Sequence, residues 1–192
     1  MTTLAQQGQV PLLSWTVNAA TTQRKGYWQH LAQQINQVPG PVLLRPLLSA
    51  PTAISYRRAW KQMVKAFREE KVSNVVWVWT PEAGDSLLQK FPGVAYVNWL
   101  ANPLLARDGA PDYARLRTQL TQNLAMHQVP VLLLAPAANG SPTMVASRLN
   151  AKYPEIKAVV FPSVLSSLPT ASATRTLIIP QWFGARLMSM RL

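Results

Sequence analysis

Residues 74–81 have the sequence NVVWVWTP, and this stretch decides the fold class of the chain. Between Asn74 and Pro81 every residue is β-branched or aromatic, which is the composition that pleated strands favour. No polar residue interrupts Val75–Trp79, so this strand is predicted to be covered on both faces. Strands of that kind are typical of parallel sheets with helices packed outside. The stretch therefore predicts an α/β protein with a parallel sheet.

Similar strand patterns alternate with helix patterns along the rest of the chain. The other predicted strands are Val10–Trp15, Val42–Leu47, Tyr96–Ala101, Val129–Ala135 and Ile156–Phe161. Between them lie helical stripes with apolar spacings of three and four, the clearest formed by Tyr56, Ala59, Trp60, Met63, Val64 and Phe67. Residues 165–176 are predicted to be a loop, and Leu177–Phe183 a last short element. This alternation predicts a parallel sheet with outer helices, as a doubly wound sheet or a (β/α) barrel.

The glycine motifs of nucleotide-binding sheets are absent from the sequence. It contains no Gly-x-Gly-x-x-Gly and no Gly-x-x-x-x-Gly-Lys, and no glycine-rich turn follows the first predicted strand. Those turns bring backbone N–H groups against phosphates, so their absence argues against an open nucleotide-binding sheet. The barrel is therefore the favoured architecture, and no cofactor is expected.

The charge balance is strongly basic. Over 192 residues there are 19 Lys and Arg against 7 Asp and Glu, for a net charge of +12. Such an excess can attract nucleic acid, anionic lipid or an acidic polymer. The bases are spread along the chain, however, and the densest group lies on one predicted helix, as Arg57, Arg58, Lys61, Lys65, Arg68 and Lys71. No run of five like charges marks a binding tail, so nucleic acid is not the expected partner.

Three absences from the sequence bear on the cellular compartment and on metal binding. There are no cysteines, which excludes disulfides and thiolate chemistry and leaves the redox compartment open. The first eight residues have neither the basic nor the apolar region of a signal peptide. The chain is expected to be cytoplasmic if Met1 is the native start, and extracytoplasmic if it was cut from a longer exported protein. His30 and His127 lie far apart without neighbouring ligands, so no metal site is expected.

Eight short blocks of sequence carry a resemblance to a known family. They are VPLLSW at 10–15, PVLLRPL at 41–47, YRRAW at 56–60, NVVWVWTP at 74–81, FPG at 91–93, YVNW at 96–99, VPV at 129–131 and IKAVV at 156–160. In this order, from Gln9 to Phe161, they resemble glycoside hydrolase family 26, the β-mannanases and related β-glucanases. The resemblance implies a TIM-barrel-like fold in which residues 10–15 form the third strand.

Nothing before Gln9 can supply the first two strands of such a barrel. We therefore expect an incomplete (β/α) TIM-barrel-like fold with about six parallel strands and outer helices. It forms a single domain over residues 1–192, which is the C-terminal part of a longer protein in one interpretation. A parent-chain segment, a partner protein or a reorganised fold would then complete the ring.

The resemblance also locates the catalytic carboxylates of the family, and this chain lacks both. Members carry a His-Glu pair directly after Arg-Pro-Leu, with the Glu as general acid/base; here the two residues are Leu48 and Ser49. The nucleophilic Glu ends the seventh strand, and its place falls at Pro136. Asn98 replaces an Asp in the Tyr-Val-Asp-Trp block. Because neither Ser nor Pro can perform proton transfer or form a glycosyl ester, hydrolysis is not expected.

Two acids remain that displaced catalysis could use. Glu82 and Asp85 follow the strand Val75–Trp79, at the end where a barrel keeps its active site. They are the catalytic candidates if the chain is an active hydrolase. The alternative is that they are ordinary loop acids.

Residues in or beside the strands are the predicted sugar contacts. Flat aromatic rings stack on the apolar faces of sugars, and the candidates are Trp79, Trp99, Tyr96, Trp15 and Trp77. Alternation puts Trp77 and Trp79 on the same side of their strand, facing either the barrel interior or the helices. Arg45 could donate hydrogen bonds to sugar hydroxyls or to an acidic glycan. The competing interpretation is that the tryptophans are core residues and that Arg45 is a buried structural residue.

Three functions remain open at this point. The first is a non-catalytic glycoside-hydrolase-like module that binds or guides a polysaccharide, which could be acidic, or that assembles a glycan synthesis or export system. The second is an active β-mannanase or β-glucanase with displaced carboxylates. The third is a basic module that docks on a membrane surface or nucleic acid.

Overall fold

A computed structural model describes residues 10–18, 26–81, 87–103, 111–122, 129–134, 153–160 and 175–178. No helix in these ranges is long and apolar enough to cross a membrane. The elements in chain order are β1 Pro11–Asn18, α1 Tyr27–Asn36, β2 Val42–Ser49, α2 Ala53–Glu69, β3 Val75–Trp79, α3 Leu87–Lys90, a 3₁₀ helix Val94–Tyr96, β4 Trp99–Pro103, α4 Pro111–Thr121, β5 Val131–Leu134, β6 Ile156–Val160 and β7 Arg175–Ile178.

The strands form a ring around a closed interior. β1 to β6 lie side by side in chain order and run parallel, while β7 is antiparallel to both of its neighbours, β6 and β1. Six parallel strands, where a full TIM barrel has eight, confirm the predicted incomplete TIM-barrel-like fold. The carboxyl ends of the parallel strands open at one end of the ring, which we call the mouth. The opposite end is called the base.

Closure of the ring comes from β7, within the described chain. Arg175 and Thr176 pair with β1, whereas Leu177 and Ile178 pair with β6. The strand thus begins two residues before the predicted last element, inside the predicted loop. An exposed strand edge presents a row of unpaired N–H and C=O groups. β7 gives partners to part of that row on both β1 and β6.

Strand side chains alternate between two apolar layers. The layer between strands and helices contains Trp77 and Trp79 of β3, together with the buried faces of the helices. The layer inside the ring contains Val76 and Val78 of the same strand. β3 is therefore buried on both faces, as its sequence predicts.

Helix α2 contributes most to the outer layer. All members of its predicted stripe are buried, namely Tyr56, Ala59, Trp60, Met63, Val64 and Phe67. The helix begins after Thr52, whose Oγ1 accepts a hydrogen bond from the backbone N–H of Ser55 at 3.1 Å in a reciprocal capping box. Trp60 is 0% exposed, and its Nε1 donates to the carbonyl of Tyr96 at 2.9 Å. This bond fixes the segment before β4 against the helix.

The fourth strand begins later than the predicted Tyr96–Ala101, because a side chain replaces the first backbone pairing. Asn98 Oδ1 accepts the backbone N–H of Trp77 at 2.8 Å, and the Asn98 N–H donates to the carbonyl of Trp77 at 2.9 Å. Regular pairing with β3 starts only at Trp99. Tyr96 consequently lies in the 3₁₀ helix, outside the ring.

A charged cluster at the base connects β6 to α4. Glu155 precedes β6, and its Oε1 accepts hydrogen bonds from the hydroxyl of Tyr113 at 2.8 Å and from Nε of Arg117 at 2.7 Å. Burial raises the pKa of Glu155, but hydrogen bonds from its own backbone, Tyr113 and Arg117 hold that pKa below its usual range. Burial and the bond to Glu155 raise the pKa of Tyr113. The cluster lies away from the mouth, which indicates a structural role.

Replacing Leu177 with Pro tests the closure by β7. Proline lacks a backbone N–H and is poorly tolerated in a strand that has neighbours on both sides, so the substitution should disrupt the pairing of β7. We expect a lower melting temperature and, because strand edges become exposed, aggregation detectable by light scattering. Leu177→Val is the control, since it keeps the N–H and favours a strand. Equal stability of the two variants would contradict closure by β7.

Replacing Glu155 with Gln tests the cluster at the base. A carboxyl whose pKa is lowered on folding stabilises the protein above its ordinary pKa of 4.5, and this contribution is lost as the pH falls. Thermal unfolding followed between neutral pH and pH about 3 should therefore show a smaller loss of stability with acid in Glu155→Gln than in the wild type. Glu69→Gln is the control, because the Glu69 side chain is 56% exposed. Superimposable pH profiles for wild type and Glu155→Gln would refute the role of the cluster.

Candidate functional site

The inward-facing side chains of β1 and β2 become polar and exposed toward the mouth. Near the base they are apolar, and Leu12 and Leu43 are 0% and 1% exposed. Two residues further along the strands, Ser14 lies opposite Arg45 in the parallel register. The next inward position on β2 is Leu47, which is 36% exposed. Among the described residues, the interior is thus an apolar core at the base with a polar layer above it toward the mouth.

The polar layer is organised by Arg45. Its side chain is buried, with 9% of its surface exposed. Nε donates to Oγ1 of Thr80 at 2.8 Å, and Nη1 donates to Oγ of Ser14 at 3.0 Å. These residues come from β1, from β2 and from the position directly after β3, and we call them the arginine cluster. The sequence predicted Arg45 as a site residue, and the structure positions it inside the ring, just below the mouth.

The chemistry of the arginine cluster is suited to binding. A guanidinium is always protonated and presents donors in a rigid plane, which match hydroxyl and carboxylate oxygens. The hydroxyls of Ser14 and Thr80 can both donate and accept. None of these groups exchanges a proton near neutral pH, so the cluster can position a ligand but cannot serve as a general acid or base.

The structure describes Ser49, the residue at the position where the family resemblance locates the acid/base. Ser49 ends β2 at the mouth and is exposed, while the preceding Leu48 is buried in the helix-side layer. A seryl hydroxyl at this point cannot protonate a leaving group at neutral pH. The second expected carboxylate position, Pro136, and the two candidate acids, Glu82 and Asp85, lie outside the described residues.

The carboxylates whose side chains the structure describes lie near the base. Glu69 and Glu70 end α2, which runs from the mouth toward the base, and Glu155 belongs to the cluster described above. Glu69 pairs with Lys65 at 3.7 Å, and Glu70 accepts a hydrogen bond from Gln33 at 3.0 Å. Within the same described residues, no group of three or more His, Asp or Glu is placed to hold a metal ion.

Trp77 and Trp79 face the helices, which resolves the two orientations left open by the sequence. Trp77 packs edge-on against Phe67 with a centroid distance of 4.9 Å. Trp79 is 1% exposed, lies 5.2 Å from the ring of Phe91 and donates from Nε1 to the hydroxyl of Tyr56 at 3.0 Å. The predicted sugar contacts at these two positions are therefore core positions, because helix residues cover the rings.

Trp15 and Trp99 are also packed away from the mouth. Trp15 is half-buried against the helix-side layer. Trp99 begins β4, at the end of the strand that points to the base, and its ring lies in the inner layer with 3% of its surface exposed. Both tryptophan side chains are therefore packing residues, which agrees with the competing interpretation that the tryptophans belong to the core.

Tyr96 lies on the outside of the protein, beside α2. Its ring is partly exposed, with Nζ of Lys61 at 5.2 Å and Cζ of Arg68 at 5.3 Å from the ring centroid. The structure therefore separates the predicted sugar contacts. Arg45 alone among them lies in the polar layer below the mouth, and Tyr96 joins a different surface.

Sequence reasoning missed the two hydroxyl partners of Arg45. Ser14 and Thr80 are separated from Arg45 by more than thirty positions each, with sequence separations of 31 and 35. The signal that could have found them is the alternation of inward and outward side chains along each strand. In a parallel ring, polar residues at inward positions of neighbouring strands meet at one level, and Ser14 shares its face with the apolar Leu12.

Comparison with known proteins places this geometry in a family. The family model described as Glycosyl hydrolase family 26 matches residues 6–161, and no curated protein matches the chain. Among solved structures, the chain is similar to the GH26 domain of an endo-β-mannanase/endo-β-glucanase from Prevotella bryantii, at 17% identity and a TM-score of 0.45. That alignment covers 65% of this chain and 48% of the other, so the chain spans about half the length of the solved domain. Because the family model matches most of its length, this chain belongs to glycosyl hydrolase family 26.

Proposed function

We propose that this member of glycosyl hydrolase family 26 is a non-catalytic module that binds a polysaccharide at the mouth of its ring. The observation that carries the proposal is the arginine cluster near the mouth, together with the exposed Ser49 where the family resemblance locates the acid/base. The cluster can bind hydroxyls and carboxylates, whereas the residue in the acid/base position cannot transfer a proton.

The requirements of glycoside hydrolysis support the non-catalytic half of the proposal. A retaining glycosidase needs two carboxyl groups about 5–5.5 Å apart, one protonated and one ionised. The sequence has Ser49 and Pro136 where the family resemblance locates them. Loss of the general acid/base alone costs about 10²–10⁴ in rate, and loss of the nucleophile removes the covalent route as well.

The geometry of the polar layer supports the binding half. Arg45 is fixed by hydroxyls from two neighbouring strands, so its guanidinium needs little reorganisation when a ligand arrives. Charged hydrogen bonds are stronger than neutral ones, which favours Arg45 as the anchor for ring hydroxyls or for the carboxylate of an acidic sugar. A module of this kind would hold or guide a glycan within a synthesis or export system.

A second candidate function is hydrolysis by displaced carboxylates. It is favoured by one observation: Thr80 and Pro81 lie where the chain leaves β3 at the mouth, and Glu82 and Asp85 follow them directly in sequence. This candidate needs two carboxylates to take over both catalytic roles. The basic surface module remains a further alternative, and it is distinguished by binding that requires charge but not the arginine cluster.

Hydrolysis is tested with a reducing-sugar assay on β-mannan and β-glucan. We expect no release above the enzyme-free control, because the family's acid/base and nucleophile positions hold Ser49 and Pro136. Turnover that Glu82→Gln or Asp85→Asn abolishes would establish displaced catalysis instead. Turnover that survives both substitutions points to contaminating enzyme, which repurification of the protein would remove.

Binding is tested by titration calorimetry with manno- and gluco-oligosaccharides. Arg45→Gln removes the charged donors and is expected to weaken binding about ten-fold, the value of one lost charged hydrogen bond. Thr80→Val, which removes only a hydroxyl of the cluster, should weaken it less. Trp79→Phe is the control, because this ring faces the helices and its loss lowers stability without touching the mouth. Wild-type affinity in a folded Arg45→Gln protein would refute binding at the arginine cluster.

A further inference from the structure

A second surface stands out on the outer face of α2. There the helix and the segment containing the 3₁₀ helix border a groove of about 440 Å³. Cations dominate its lining, which includes Arg57, Arg58, Lys61, Lys65, Arg68 and the ring of Tyr96. No carboxylate is among the described residues that line it; the nearest described acid along the helix, Glu69, pairs with Lys65. We call this surface the basic groove.

The cations of the basic groove form a regular row. From Arg57 to Lys61, Lys65 and Arg68 they recur every three or four residues, which puts them on one face of the helix. At about 1.5 Å of rise per residue, the row is about 16 Å long. Such a row matches a linear polyanion better than it matches a single small anion.

Several of these cations are held in position. Arg57 donates a hydrogen bond to the carbonyl of Gln89, and Arg68 donates to the carbonyl of Ala95. Lys61 and Arg68 also contact the ring of Tyr96. Holding these flexible side chains in place reduces the entropy that a ligand must otherwise remove. The groove is therefore partly preorganised, unlike a scatter of free surface lysines.

We propose that the basic groove binds a linear acidic polysaccharide whose carboxylates lie along the row of cations. Carboxylates pair well with the planar guanidinium groups at both ends of the row. The choice of a glycan as the polyanion rests on the proposed function, whereas the anion-binding character rests on the groove itself. This site is separate from the arginine cluster, because it lies on the helix side of the sheet rather than inside the ring.

Other polyanions fit the groove less well. Single-stranded nucleic acid is bound through several exposed aromatic platforms, whereas the described lining of the groove includes one ring, which Lys61 and Arg68 already contact. Duplex DNA carries a charge every ~1.7 Å, far denser than cations separated by about 4.5–6 Å along a helix. A bilayer surface favours several protruding apolar side chains, whereas the described lining of the groove is mostly cationic and Ile54 is its one strongly exposed aliphatic residue.

The test measures the affinity of polygalacturonate oligosaccharides by titration calorimetry. Lys61→Glu reverses a charge in the middle of the row and is expected to weaken binding about ten-fold. Lys71→Glu is the matched control: it makes the same change of net charge just beyond the end of α2, outside the groove, and should change affinity less than about two-fold. Circular dichroism confirms that both variants fold.

The outcomes separate this proposal from its rivals and from the proposed function. Equal effects of the two reversals would mean that only net charge matters and would overturn the groove. Tighter binding of single-stranded DNA, or of phosphatidylglycerol vesicles, than of polygalacturonate would overturn the choice of a glycan. Arg45→Gln should leave polygalacturonate binding sensitive to Lys61→Glu. If neutral oligosaccharides fail to bind and Arg45→Gln leaves polygalacturonate affinity unchanged while the sensitivity to Lys61→Glu persists, the mouth proposal fails and the groove remains.

Discussion

Closure of the ring is the constraint on which the rest of this structure depends. Six parallel strands leave two edges, and the backbone groups on those edges need partners. β7 supplies them by running antiparallel between β1 and β6, with two residues paired to each. Because the ring is closed, inward side chains from β1, β2 and β3 converge on a common interior. The meeting of Ser14, Arg45 and Thr80 follows from that convergence.

The two faces of β3 have different surroundings, the helices on one side and the interior of the ring on the other. Its tryptophans point outward and interlock with α2, while the smaller valines point inward. Large rings are most useful between sheet and helix, where they fill the space left by curved surfaces at interior packing density. Packing therefore explains why the strands of this chain are rich in aromatic residues.

Local patterns predicted the parts of the fold that local physics determines. The stripe from Tyr56 to Phe67 predicted α2, and the unbroken apolar run of Val75–Trp79 predicted a strand buried on both faces. The direction of Trp79 was not predictable, because alternation fixes relative sides but not which side meets a helix. The late start of β4 depends on a single long-range side-chain bond of Asn98. β7 carries little pattern of its own, since its pairing is set by edges formed elsewhere.

The distribution of charge relates the two proposed binding surfaces to each other. α2 starts just after β2 reaches the mouth and runs toward the base, so the row of cations on its outer face extends in the direction of the ring axis. The described acids Glu69, Glu70 and Glu155 lie at the base end. The positive field of the row of cations attracts a polyanion to the helix. A chain held along α2 would then end near the mouth, where Arg45 can contact its terminal sugar. Binding at the two surfaces would reinforce each other through effective concentration, provided that one chain spans both.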